Sequence, residues 1–274
     1  MRAVVLLLGL LGACQRTGHP PPGRDKNGNA LPDPPSLSTS AALTLTAQVE
    51  SPGLKVATGT LAATSGASGA LWGFSDLQLD LQRVRLEIVP APGGAVLASL
   101  LPEHGLAVVN GGYFEADFRP STWVKNAGQE LAPKSDTSKG GVLAIAPSGV
   151  YLGPFSGLKL APELAIQSFP LLIEPDHKVG IRSDDGRHAA RTVVCQTNDG
   201  ALHLIVLAAP RGEGPTLFDS ATLMHQSWPD GFNCRVALNL DGGPSTGVVF
   251  GPAVAAKSRI PASKVGYAIA VMPR

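Results

Sequence analysis

The chain has 274 residues, a formal net charge of +1 and only 16% charged side chains. A balance so near neutral excludes recognition of nucleic acid, or of another polyanion, through net charge. Gly (32) and Pro (24) are abundant, which favours many short strands and turns over long helices.

In chain order, Met1-Arg2, the apolar run Ala3 to Leu11 and Gly12-Ala13 read as an export signal over 1–13. The run is too short to span a bilayer as a permanent helix. Leu11-Gly12-Ala13-Cys14 has the form of a bacterial lipobox, with Cys14 as the lipidated first residue of the mature chain. An ordinary cleaved signal beside a chance cysteine is the alternative. Residues 14–40 carry Pro20-Pro21-Pro22, Pro32 and Pro34-Pro35 among polar residues, the composition of a semi-rigid tether. The expectation is an exported, membrane-anchored protein, periplasmic or at the cell surface, with one domain over 41–274.

Residues 43–49 alternate apolar and polar like a strand, Gly and Ser at 65–69 mark a turn, and 77–89 read as one further strand. Residues 95–101 read as a short helix. Strand patterns recur at 106–109, 141–146, 202–208, 235–240 and 265–272. The clearest helix is 217–228: Thr216 is a good N-cap, Asp219 fits a capping box, and Leu217, Ala221, Met224 and Trp228 repeat at helical spacing. The fold class is α+β, a strand-rich mixed-sheet core with a few flanking helices. Cys195 and Cys234 each lie near a strand leading to a candidate site; they form a disulfide or remain two separate buried thiols.

Two segments share one grammar. Ala107-Val108-Val109 runs into Asn110-Gly111-Gly112-Tyr113-Phe114-Glu115, and Ala237 to Leu240, through Asn239, runs into Asp241-Gly242-Gly243-Pro244-Ser245-Thr246. Each is a strand ending in polar groups and paired glycines, which let backbone approach a ligand closely. Gly243 to Gly247 also matches G-x-S-x-G, but the residues that follow favour β-structure, and no Asp, Glu or His occurs beyond Ser245. The six histidines and the cysteines lack zinc-ligand spacing, and no phosphate-loop pattern occurs. Acid/base and anion chemistry around Asp241, Asn239, Asn110 and Arg191 remains. A turn aspartate bonding its own glycine amides is the plain alternative for Asp241, and an ion pair with Asp184 or Asp185 is that for Arg191.

With Gly141 to Ile145, Gln167 to Leu172, Ala190-Arg191-Thr192, Asp199-Gly200 and Arg259 before the closing run Val265 to Met272, these segments resemble the phosphodiester glycosidase family over roughly 70–274. The resemblance implies hydrolysis of a sugar-1-phosphodiester, as in envelope or extracellular glycans. Asp241, Arg191, Asn110 and Glu115 would form the catalytic set. Gly111, Gly112, Tyr113, Gln167, Asn239, Gly242, Gly243, Ser245 and Thr246 would bind substrate. No organic cofactor or metal is implied, although oxygens around Asp241 suit a hard divalent cation. The chain departs from the family at Pro244, where a third glycine is usual; proline removes an N–H that could have met the phosphate. That departure supports a second reading, a non-catalytic glycan-binding envelope lipoprotein using the same pocket.

Overall fold

The structure, a computed structural model, describes residues 42–62, 71–136, 138, 140–209 and 214–274. The expected signal, Cys14, the tether and the turn at 65–69 lie outside the described residues.

Four long strands open the domain: β1 (Ala42–Ser51), β2 (Leu54–Ala62), β3 (Leu71–Leu79) and β4 (Val84–Ala95). The single strand expected over 77–89 is divided by Asp80. Its carbonyl accepts the amides of Arg83 and Val84, and its carboxylate accepts the Gln82 amide. After β4 the expected helix at 95–101 is only a 3-10 turn, Leu97–Leu100, because Val96 and Leu101 are both extended. Pro102 disfavours helical backbone at Leu101. Then follow β5 (Ala107–Asn110), β6 (Val124–Asn126), β7 (Gln129–Ala132), β8 (Gly141–Ala146) and β9 (Gly149–Gly153). Next come β10 (Leu164–Ser168), β11 (Leu171–Glu174), β12 (Lys178–Val179), β13 (Arg191–Thr197) and β14 (Leu202–Ala208). Helix α1 (Leu217–His225), β15 (Cys234–Asn239), β16 (Val248–Phe250) and β17 (Val265–Pro273) complete the chain.

The strands form three sheets, in the orders β1-β2-β3-β14-β13-β15-β11-β12, β7-β6-β10-β8-β9 and β16-β5-β17-β4. Neighbours pair antiparallel throughout the described residues, which corrects the expected mixed sheet. Parallel neighbours need long crossovers, usually helical. Among the described residues only α1 is an α-helix, so the domain is mostly β.

Period-two alternation sets the core. In β14, Leu204 and Val206 face a cluster shared by all three sheets, while Ile205 and Leu207 face a second cluster beneath α1. A strand covered on both faces reads as a continuous apolar run, as β14 does. The capping box at α1 forms as expected: Asp219 N donates to Thr216 Oγ1 (3.1 Å) and Thr216 N donates to Asp219 Oδ2 (3.0 Å). The helix stops at His225, however, with Gln226 extended. Trp228 therefore leaves the expected apolar stripe and is 52% exposed, while Ala221 and Met224 are buried.

Cys195 and Cys234 are bonded, with Cα atoms 5.6 Å apart on the neighbouring strands β13 and β15. Both are fully buried under α1. The bridge closes a loop across a 39-residue separation, for which chain entropy gives a stabilisation of about 4 kcal/mol. The double variant Cys195→Ser, Cys234→Ser is expected to lose about 2–5 kcal/mol in denaturant unfolding. An unchanged midpoint would show that sheet pairing alone holds the two strands.

Candidate active site

The two glycine segments meet at the ends of β5 and β15. Asn110, at the end of β5, is fully buried and spends its whole amide on protein partners. Its Nδ2 donates to the carbonyls of Gly111 (3.1 Å) and Asp241 (2.9 Å). Its Oδ1 accepts the Thr192 hydroxyl (2.7 Å) and the Gly247 amide (3.1 Å). An Asn side chain offers two donors and two acceptor sites, and all four are used. Asn110 is therefore a positioning residue that ties three segments together, rather than a group free to touch substrate.

The glycines serve close packing more than backbone handedness. A Cβ at Gly111 would run into the Tyr267 ring, and one at Gly112 would lie 2.6 Å from the Tyr267 hydroxyl. In the second segment only Gly243 has positive φ (+60°). A Cβ at Gly242 would lie 2.8 Å from the Ala190 carbonyl. The turn closes on itself: Gly242 N donates to Asp241 Oδ1 (2.8 Å) and Gly243 N to Ala190 O (2.7 Å). Ser245 N and Thr246 N donate to the carbonyls of Gly242 and Gly243. Pro244 sits early in this 3-10 turn, where an N–H would have no partner within the turn. The bonding of Asp241 to Gly242 matches the plain turn-aspartate alternative, and the Ser245 side chain adds a second hydrogen bond to the carboxylate. Burial pushes the Asp241 carboxyl above the usual aspartate range, against the hydrogen bonds from Ser245 and Gly242.

Tyr113 links Asp241 electrostatically to Arg191. Its hydroxyl donates to Phe169 O (3.0 Å) and accepts from Asn239 Nδ2 (2.9 Å), and its ring stacks on Phe169 at 4.5 Å. Burial, aided by the Asp241 charge, pushes the phenol up to about 12, while the Arg191 charge opposes that shift. Arg191, at the start of β13, donates through Nε to Pro215 O (3.1 Å) and through Nη2 to Arg187 O (2.9 Å). Among the described residues it has no ion pair; Asp185 pairs instead with Arg187. Its Nη1 has no partner among those residues. Burial lowers its pKa, against the charges of Tyr113, Asp185 and Asp219, none of which pairs with it directly.

Asn239 is fully buried, and its Nδ2 also donates to Phe169 O and Leu240 O, but its Oδ1 has no partner among the described residues. Ser168 Oγ, Thr246 Oγ1 and Tyr267 Oη are likewise buried and unpartnered. Ser168 Oγ would lie 3.7 Å from a Cβ at Gly112, beside the Tyr267 hydroxyl. Orphaned buried polar atoms cost stability, so a group of them around one turn calls for a ligand or water.

Two expected residues stand apart. Gln167 is buried, with Nε2 donating to Asp136 O (3.0 Å) and Oε1 accepting the amides of Trp123 and Ser135. It braces a loop instead of facing the turn. Glu115 is exposed, outside the buried cluster. Sequence reasoning passed over Ser168 and Tyr267. Ser168 lay inside a recognised segment, whereas Tyr267 read only as one residue of an apolar strand.

A half-buried carboxylate, an unpaired guanidinium edge and orphaned hydroxyl and amide oxygens define a site for a small polar, anionic ligand. A sequence model of the phosphodiester glycosidase family matches residues 104–272. The chain belongs to the phosphodiester glycosidase family. Its fold is similar to that of the zebrafish N-acetylglucosamine-1-phosphodiester alpha-N-acetylglucosaminidase catalytic domain, auto-inhibited by its propeptide. The TM-score is 0.64 at 16% identity, over 86% of this chain and 88% of that one. A hypothetical protein from Synechocystis gives TM-score 0.62 at 15% identity over 81% of this chain, which spans 62% of that protein. A Burkholderia pseudomallei K96243 protein gives 0.54 at 12% identity, over 75% of each chain. No curated protein matches the sequence.

Replacing Asn110 by Ala strands Thr192 Oγ1, Gly247 N and two carbonyls in the interior. At about 1–3 kcal/mol for a stranded group, with partial relaxation, the expected loss is about 3–5 kcal/mol, read as a lower denaturant midpoint. Asp241 gives a pH signature. Its folded pKa lies above the ordinary value of 3.8, so its contribution to stability is complete below that value and is lost as pH rises through the folded one. Asp241→Asn avoids the loss and keeps an acceptor for the Gly242 amide. Its melting temperature should exceed that of the wild type at neutral pH, with the gap closing in acid; a gap independent of pH would contradict the buried-carboxylate assignment.

Proposed function

We propose that this chain is an exported glycosidase that hydrolyses a sugar-1-phosphodiester, of the N-acetylglucosamine-1-phosphodiester kind, in envelope or extracellular glycans. The observation that carries the proposal is that Arg191 packs on the Asp241 turn: Gly243 N donates to Ala190 O (2.7 Å), and a Cβ at Gly242 would lie 3.9 Å from Arg191 Cδ. A carboxylate and a guanidinium thus stand at one turn. The family and the similar fold of the zebrafish enzyme domain support the same reading.

In this mechanism the free edge of Arg191 holds the phosphate, for which the planar guanidinium is suited. Water attacks the anomeric carbon and gives its proton to Asp241. The bond from that carbon to the phosphate oxygen breaks, and its electron pair leaves with the phosphate. A phosphomonoester departs as a stabilised anion, with a second pKa of about 6, so the demand for a strong general acid is small. Burial raises the basicity of Asp241 towards the range useful for proton transfer near neutrality. Asn239 Oδ1 and the hydroxyls of Ser168 and Tyr267 supply unpaired sites for sugar hydroxyls.

Export is supported by the signal-like start and by the Cys195–Cys234 bond, which suits an oxidising compartment. Lipidation at Cys14, with 14–40 as the tether, is part of the same proposal. The rival reading, a glycan-binding lipoprotein without turnover, rests on Pro244: the N–H that proline removes would have had no partner within the turn and would have been free to meet a phosphate.

The test is release of free sugar from a panel of sugar-1-phosphodiesters, with and without a chelator to probe a divalent cation. Asp241→Asn should lower kcat by at least about 100-fold with KM little changed. Arg191→Lys should raise KM, because an ammonium cannot reproduce the fork. No sugar release by folded wild type on any member of the panel would overturn the proposal.

A further inference from the structure

The guanidinium of Arg191 is held by carbonyls from two separate segments. Nε donates to Pro215 O (3.1 Å) and Nη2 to Arg187 O (2.9 Å). Pro215 is buried and stands immediately before Thr216, whose capping box starts α1, so the first carbonyl sits on a rigid support. The second has no such support. Arg187 belongs to the stretch 182–188, every residue of which is exposed. Within it, Asp184 accepts the Gly186 amide, and Asp185 accepts the Arg187 amide and pairs with the Arg187 side chain. These bonds shape the loop but do not attach it to the domain.

Attachment comes from one side chain. His188 Nδ1 bonds Gly214 O at 3.0 Å. A carbonyl only accepts, so Nδ1 carries the proton. Among the described residues, this bond and the one from Arg191 itself are the hydrogen bonds that tie 182–188 to the rest of the chain. His188 follows Arg187 and Gly214 precedes Pro215, so the two segments that grip Arg191 are pinned together one residue from each grip. Close packing reinforces the junction, since a Cβ at Gly214 would lie 2.5 Å from Ala189 O. The next carbonyl, that of Ala190, accepts Gly243 N (2.7 Å), so the same stretch of chain runs directly onto the Asp241 turn.

We infer that His188 is a positioning residue for Arg191. Its bond to Gly214 O holds Arg187 O where that carbonyl fixes the plane of the guanidinium, with Nη1 left over for an anionic ligand. Without His188, the loop would hang on Arg191 alone, and the arginine would have to order the loop that is meant to order it. A side chain fixed beforehand loses less freedom when its ligand arrives. The inference rests on the phosphate-holding role proposed above for Arg191 and deepens it, by naming what keeps that fork ready for a phosphate.

The experiment reads the arginine directly as well as through turnover. In the disulfide-bonded protein, the Nε–H resonance of Arg191 is assigned by its loss in Arg191→Lys. His188→Ala removes the donor, His188→Asn keeps an N–H near the place of Nδ1, and His188→Gln carries its N–H one bond further out. His188→Ala is expected to speed solvent exchange of the Arg191 Nε–H and to weaken binding of inorganic phosphate about fivefold. His188→Asn should restore both, and His188→Gln should not. In turnover of a sugar-1-phosphodiester, KM should follow the same order while kcat changes little. An Arg191 resonance unmoved by His188→Ala, or a loss that His188→Asn shares in full, would overturn the inference. So would a lowered melting temperature and disturbed distant amides in all three variants alike, the pattern of a purely structural residue. Dependence of the Arg191 resonance on His188, in a protein without turnover, would retain the positioning role and reject only the catalytic reading.

Discussion

Everything at the candidate site depends on the buried amide of Asn110. Its four hydrogen bonds join the end of β5, the start of β13, the Asp241 backbone and Gly247 into one rigid unit. These segments belong to different sheets, and few other polar side chains could satisfy two carbonyls, a hydroxyl and an amide at once. The neighbouring glycines are needed for the same reason. Tyr267 packs directly on Gly111 and Gly112, so the strand that carries it can lie flat against the segment Asn110 anchors.

Once the backbone is fixed in this way, burial sets the chemistry. The same loss of solvent raises the Asp241 carboxyl, raises the Tyr113 phenol and lowers the Arg191 pKa. Neither Asp241 nor Arg191 has an ion pair among the described residues, so neither charge is quenched by a direct partner. The unpaired oxygens of Asn239, Ser168 and Tyr267 fit this picture, because a site that satisfied every polar atom internally would have nothing to offer a sugar. The fold tolerates such a site because it is braced elsewhere, by the two-faced burial of β14 and by the bridge between β13 and β15.

The edges of the molecule follow a different logic. Phe169 and Trp228 remain exposed, one beside the site and the other beyond the helix it was expected to join. Trp123, by contrast, is buried, with the Lys134 ammonium 4.8 Å from its ring centre in place of a hydrophobe.

The sequence alone determined the local features whose physics is local. The capping box at Thr216, the apolar run of β14 and the strand endings at Asn110 and Asp241 are all readable from neighbouring residues. The resemblance that ordered those endings pointed to the family. Tertiary structure decided what depends on distant partners. It showed Asn110 as a strut because its partners are Asp241, Thr192 and Gly247. It set Gln167 to bracing a loop, left Glu115 in solvent, and brought Tyr267, read only as part of a closing strand, against the glycines. It also made all three sheets antiparallel, since strand pairing is fixed by which chains meet and by the crossover helices available, and a period-two pattern carries neither.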